Sequence, residues 1–290
     1  MKDYTQYKID RNSFISGNGM KDEIRIGSYS YIVKYRKDSP RGPLYNHISE
    51  YLGSGVYRLL GIPVQECFLG MYAGKEVVLV KNFLKKGETF LGFENVMETL
   101  LDRNREWSSY SLDDIEHILI ASGKSGSIRA SIDRFWDMYI IDALNANPAR
   151  GVTSWGYVEH LGEYTLAPVY NNDSCMYPEI NGDASLNAVM KSPTLIEEKL
   201  FDASSEILVH ESNMSFMKVI RSHEYKECDK ALLRIVPRID LNAINKLIDS
   251  IEVISKDRKA FYKVMYEERY SKILKSAYDE LQYGGNLREL

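Results

Sequence analysis

The chain has 290 residues, 44% of them hydrophobic, and a formal net charge of −4 at pH 7. That length and composition support one large or two medium globular domains with a proper core, and the acidic balance argues against a general phosphate-backbone binder, whose affinity comes from clustered Lys and Arg. No apolar run approaches the roughly 20 residues a membrane-spanning helix needs, and the N-terminal MKDYTQYKID lacks the apolar core of a signal peptide, so the expectation is a cytoplasmic protein with no membrane and no direct nucleic-acid partner.

Residues 1 to about 83 read as mostly strand. EIRIGSYSYIVKYR alternates and is rich in Ile, Tyr and Val, with Gly27-Ser28 as a hairpin turn, and EVVLVKNFL is a continuous apolar run of the kind central strands show. Between them, YNHISEYLGSGVYRLLG places Ile48, Tyr51, Leu52, Val56, Leu59 and Leu60 at helical spacing, ended by Gly61 and followed by Pro63. The predicted order is strand, strand, helix, strand, strand: a sheet of about five strands carrying one helix.

From about residue 90 the periodicity turns helical. LGFENVMETLLD, SLDDIEHILIAS and ASIDRFWDMYIIDALNA carry apolar residues at i, i+3 and i+4, the last with Phe135, Trp136, Tyr139, Ile140 and Leu144 on a broad face. A short strand pair is predicted in WGYVEH and YTLAPVY, joined by Leu161-Gly162-Glu163, and helix returns in MKVIRSHEY, KECDKALLRIVPRI, DLNAINKLIDSIE and SKDRKAFYKVMYEERYSKILKSAYDEL. The expected fold class is α+β and bilobal, with a β-rich lobe over residues 1–85 and a larger helical lobe over residues 86–290.

The motif inventory excludes several chemistries. Cys67, Cys175 and Cys228 are widely spaced with no CxxC pair, and the five histidines show no HxH or HExxH spacing, so neither a disulfide framework nor a zinc site is expected. Walker A, Rossmann GxGxxG and GxSxG patterns are missing too. Ser174 and Cys175 look nucleophilic but sit where small packing residues are expected.

Other residues point to a nucleotide. Lys34, within the otherwise apolar YSYIVKYR, can hold phosphates; on spacing alone an edge lysine facing solvent fits as well. Gly17 and Gly19 form a turn able to bring backbone N–H groups to phosphate, or a plain hairpin turn. Glu50 can pair with Lys34 or lie exposed on its helix. LVKNF, with Val80 and Asn82, reads as a lobe connector whose backbone could meet an adenine edge.

Together, SEYLGSGVYRLLGIPVQECFLGMY, VKNF, FWDMYIIDALNANPARGVTSWGYV, YTLAPVYNNDSC and the closing LLRIVPRIDLNAINKLIDSI resemble the HipA-like kinases, in particular their short CtkA-type members. The resemblance implies a protein-kinase-like fold, ATP as the cofactor, and serine/threonine kinase activity with a protein substrate or partner; some relatives pair with a DNA-binding antitoxin, whose existence here the sequence does not reveal. The departures bear on that activity. Against the family's loop GNxDRHxxNWG, Asn147, Arg150 and Trp155-Gly156 are kept, whereas Ala146 replaces Gly, Ala149 stands at the catalytic Asp, Gly151 at the His, and Ser154 at the metal-binding Asn. Against YDxGSS, Tyr170 is kept, Asn171 stands at the metal-binding Asp, and Asp173 at the Gly. Alanine accepts no proton, and Asn and Ser lack the anionic oxygen a hard cation prefers. The resemblance therefore implies a pseudokinase with Mg²⁺ held weakly or not at all, which still binds nucleotide and acts through a protein partner. The alternative is an active Ser/Thr kinase or nucleotidyl transferase using displaced acids, Asp173 as a substitute metal ligand or Asp142 facing the site. A structural role in holding the loop is the favoured reading of Asp142.

Overall fold

The computed structural model describes residues 1–10, 21–100, 111–122, 128–209 and 212–284. Gly17 and Gly19 lie outside the described residues. By backbone contacts the chain divides into two compact units: the first combines 1–83, 168–192 and 241–263, the second 84–167, 193–240 and 264–290.

The first unit is built on a five-stranded sheet in the order Lys2–Asp3, Cys67–Tyr72, Lys75–Lys81, Tyr29–Tyr35, Lys21–Ile26. The first pair is parallel and the rest antiparallel. Gly27 takes φ 61°, which fits the sharp reversal between the two hairpin strands. The helix Asn46–Leu59 lies against the strands Cys67–Tyr72 and Lys75–Lys81. It buries Ile48, Leu52 and Val56 as the apolar spacing predicts, but Leu59 is left exposed. The same helix also buries Ser49, Glu50, Gly53 and Ser54, a small and polar face that apolar periodicity does not reveal.

That second face exists because the segment after Tyr170 lies on it. A Cβ at Gly53 would come within 2.6 Å of the Cys175 sulfur and 3.0 Å of the Asn172 Cβ, so only glycine lets the segment approach this closely. Ser49 donates a hydrogen bond to the Cys175 carbonyl at 2.5 Å, and Asn172 donates through Nδ2 to the Ser54 hydroxyl at 2.9 Å. Leu247, on the helix Leu241–Asp249, packs where a side chain at Gly55 would stand.

The second unit centres on the helix Ile128–Asn145, buried almost all round from Phe135 onward. The hairpin predicted after it forms between Gly156–His160 and Glu163–Leu166, with Leu161 and Gly162 at positive φ. It is not a pair alone, as the sequence suggested: Thr89–Gly92 adds a third strand beside Gly156–His160. Gly156 makes this approach possible, since a Cβ there would collide with the Leu91 carbonyl. The helices Leu112–Ser122, Phe216–Ser222 and Lys226–Ile235 follow their predicted segments, the last closing in a 3₁₀ turn at Val236–Arg238. The predicted C-terminal helix runs from Lys256 to Gly284 with a π-helical stretch at Tyr270–Lys275. Two further helices fall where periodicity predicts nothing, Asp183–Met190 in the first unit and Pro193–Asp202 in the second. All three cysteines are free and buried, in line with reduced core thiols. Among the described residues no helix is long and apolar enough to cross a membrane.

Candidate functional site

Lys34 sits in Tyr29–Tyr35, hydrogen-bonded on one side to Lys21–Ile26 and on the other to Lys75–Lys81, so it is not at an edge. A buried lysine requires a counter-charge. Glu50, wholly buried on its helix, provides it: Lys34 Nζ donates to Glu50 Oε2 at 2.5 Å. Burial pushes the Lys34 ammonium down, but the carboxylates of Glu50 and Asp173 hold it above its ordinary value. The other Glu50 oxygen accepts from Gln65 Nε2 and from the Asn172 backbone N–H at 2.9 Å. This carboxylate is therefore fixed from three sides.

Lys34 also donates to Asn171 Oδ1 at 3.2 Å. Asn171 adopts φ 58°, left-handed backbone that Asn tolerates better than most residues. Two positions on, Asp173 Oδ2 accepts from Lys37 Nζ at 2.7 Å. Burial pushes Asp173 up, but the Lys34 charge and the Lys37 hydrogen bond outweigh it and hold the carboxyl below the usual range. Tyr170, before this pair, has its ring 6.3 Å from that of Phe83. Val80 is buried in its strand, and the Asn82 N–H donates to the Ser30 carbonyl at 2.9 Å, inside the same unit.

A separate arrangement organises the loop after Asn145 in the second unit. Asp142, fully buried, receives Arg150 through Nε at 2.8 Å and Nη2 at 3.2 Å, and Asn147 Nδ2 at 3.1 Å. The Asn147 N–H donates to the Asp142 carbonyl at 3.0 Å, and Arg150 Nη1 to the Ser154 carbonyl at 3.1 Å. Asp142 thus holds the loop through the side chains of Arg150 and Asn147. The Ser154 hydroxyl donates to the Ala149 carbonyl at 3.0 Å. Glu206, which sequence reasoning missed, donates its N–H to the Pro148 carbonyl at 3.0 Å, and its carboxylate stands 2.7 Å from where a Cβ at Gly151 would lie. Burial raises that carboxyl. No sequence signal marks it, because it meets the loop from 58 positions away (206 − 148) through backbone pairing.

Over 287 residues the chain is 28% identical to the serine/threonine-protein kinase CtkA of Helicobacter pylori strain J99, covering 95% of this chain and 87% of that protein. The crystal structure of a Helicobacter pylori proinflammatory kinase CtkA superposes with a TM-score of 0.91 at 27% identity, over 97% of this chain and 99% of that one. These likenesses support a HipA-like kinase family for the chain. A chain of the Shewanella oneidensis MR-1 toxin–antitoxin complex of HipA, HipB and operator DNA matches with a TM-score of 0.59 at 14% identity, covering 93% of this chain and 68% of that one; this likeness concerns the fold. No family profile matches the chain.

Kinases of this fold imply Mg²⁺, which demands a near-octahedral shell of hard oxygens. The donors here do not fit it. The Asn171 oxygen accepts from Lys34, Asp173 is ion-paired with Lys37, and the Ser154 hydroxyl is turned to the Ala149 carbonyl. Among the described residues, no three or more His, Cys, Asp or Glu side chains are grouped to hold a metal ion.

Proposed function

We propose that this HipA-like protein is a pseudokinase: it binds a nucleotide beside Lys34, does not carry out ordinary phosphoryl transfer, and acts in the cytoplasm through a protein partner. One observation carries the reading. Lys34 is held in a buried ion pair with Glu50, as phosphate binding requires, yet its second contact is the neutral Asn171, at the position the family resemblance assigns to a metal-binding Asp. Ala149, at the position assigned to the catalytic Asp, has no group to accept a proton. Residues 1–85 are the nucleotide-side lobe in this reading, with Val80 and Asn82 on the adenine side and Gly17 and Gly19 near phosphate.

The test is nucleotide binding and γ-phosphate transfer measured on the natural chain and on the triple reversion Ala149→Asp, Ser154→Asn, Asn171→Asp. The expected outcome is binding by both proteins and transfer by the reversion alone. Transfer by the natural chain at a rate near that of the reversion would refute the reading.

A second reading is an active Ser/Thr protein kinase or nucleotidyl transferase of the same fold. Its support is the name of the similar CtkA, together with the acids near the altered positions, Asp173 and Glu206. Phosphorylation of a protein substrate by the natural chain, abolished by Asp173→Asn or Glu206→Gln, would favour it.

A further inference from the structure

The surroundings of Lys34 carry more positive charge than one kinase lysine accounts for. Lys21 is directly opposite Lys34 in the neighbouring strand, and Lys37 lies three positions along the chain. Among the described residues the carboxylates that act on these three ammoniums are two, Glu50 and Asp173, leaving one net positive charge (3 − 2) before any ligand enters. The crowding is felt by its members: burial and the Lys34 charge both press Lys21 below its ordinary value, with Asp173 opposing. A metal-dependent phosphate site has the reverse composition, with carboxylates outnumbering cations until the metal arrives. Here Asn171 has no charge to offer a metal, and Asp173 already holds a cation, the Lys37 ammonium.

We infer that this site takes a nucleotide polyphosphate directly on Lys34, Lys37 and Lys21 without a divalent ion, the Lys37 ammonium occupying Asp173 in place of one. The inference rests on the nucleotide-binding reading above and makes it specific. Ammonium groups are donors to phosphate oxygens in their own right and gain strength where water is partly excluded. Added Mg²⁺ would compete for the same oxygens while finding no carboxylate free to anchor it, so metal should weaken binding or leave it unchanged.

Calorimetry on the full chain tests this with three titrants: ATP in EDTA, ATP in excess Mg²⁺, and inorganic tripolyphosphate in EDTA. The expected result is ATP affinity in EDTA at least equal to that in Mg²⁺, with tripolyphosphate also binding. Lys37→Ala should weaken the EDTA affinity roughly tenfold, the effect of one lost charge-assisted contact, and make the remainder respond to Mg²⁺ as Asp173 is released. Asn171→Asp should convert the site to one that binds ATP more tightly with Mg²⁺ than without. ATP binding seen only with Mg²⁺ would overturn the inference and leave nucleotide binding standing. Tripolyphosphate binding without ATP binding would keep the anion site and sink the nucleotide reading. Failure of both titrants would sink both.

Discussion

At the scale of single residues, the decisive contact is Lys34 with Glu50. Glu50 is fully buried and its second oxygen is already engaged by Gln65 and the Asn172 N–H, so removing the lysine strands a carboxylate that water cannot reach. Lys34→Met should cost about 3–5 kcal/mol in urea denaturation, the usual loss when one member of a buried pair is deleted. Lys34→Met with Glu50→Gln should recover most of it, because a carboxamide oxygen still accepts both remaining hydrogen bonds and carries no charge. A single-variant cost below about 1 kcal/mol, the range of exposed pairs, would contradict the burial. Asp173 gives a prediction in pH. Its folded value lies below the ordinary 3.8, so its ionised form contributes stability above that range, and the contribution fades as pH falls through the lowered folded value. The destabilisation by Asp173→Asn should therefore be full at neutral pH and shrink on acidification. A difference that grows toward acid would mean the opposite shift.

At the scale of elements, the loop after the helix Ile128–Asn145 is framed by Asp142, Arg150 and Asn147 rather than by the side chain of Ala149. Asp142 and Arg150 are both buried and joined by two hydrogen bonds, whereas Ala149 is only half-buried. Asp142→Ala should cost about 3–5 kcal/mol and lower the melting temperature by many degrees, since the buried Arg150 loses its counter-charge. Ala149→Asp should stay within about 0.5 kcal/mol of the natural chain, as surface substitutions do. If Ala149→Asp were the more damaging, the loop would be organised around the alanine. The helix itself was legible in sequence, because Phe135, Trp136, Tyr139, Ile140 and Leu144 repeat over several turns, and so was the hairpin, bounded by its Leu161-Gly162 turn. The strand Thr89–Gly92 was not: four residues give no period, and its place is set by Gly156, far away in the chain. The helix Asp183–Met190 was equally silent, burying only Leu186 and Val189. Lys34 and Glu50 could be singled out, but whether they pair could not be settled by spacing; the loop after Tyr170 was recognisable only by resemblance to a family. The Lys37–Asp173 pair was not legible: Asp173 could be singled out as a substitute metal ligand, but its partner Lys37 lies 136 positions away and carries no motif.

At the scale of the molecule, the chain does not divide where its periodicity changes. The boundary near residue 85 marks the end of the first segment of one unit, which is completed only by residues 168–192 and 241–263. The helix Asn46–Leu59 shows what those later segments contribute. Without them Glu50 loses the Asn172 N–H, Ser54 loses the Asn172 carboxamide, Ser49 loses its acceptor at Cys175, and Gly55 faces no Leu247. The backbone near Gln65 goes with them, because the Gln65 N–H donates to the Val169 carbonyl and the Val169 N–H to the Pro63 carbonyl, both at 2.9 Å. Each stranded polar group costs on the order of 1–3 kcal/mol, and several together reach the 5–15 kcal/mol that is the whole stability of an ordinary domain. A fragment of residues 1–85 should therefore show no cooperative thermal transition by circular dichroism and poor amide dispersion by NMR, while the full chain melts cooperatively. A fragment that melts sharply with dispersed amides would show that the sheet and its helix hold together without the later segments, and that the polar face of Asn46–Leu59 tolerates water.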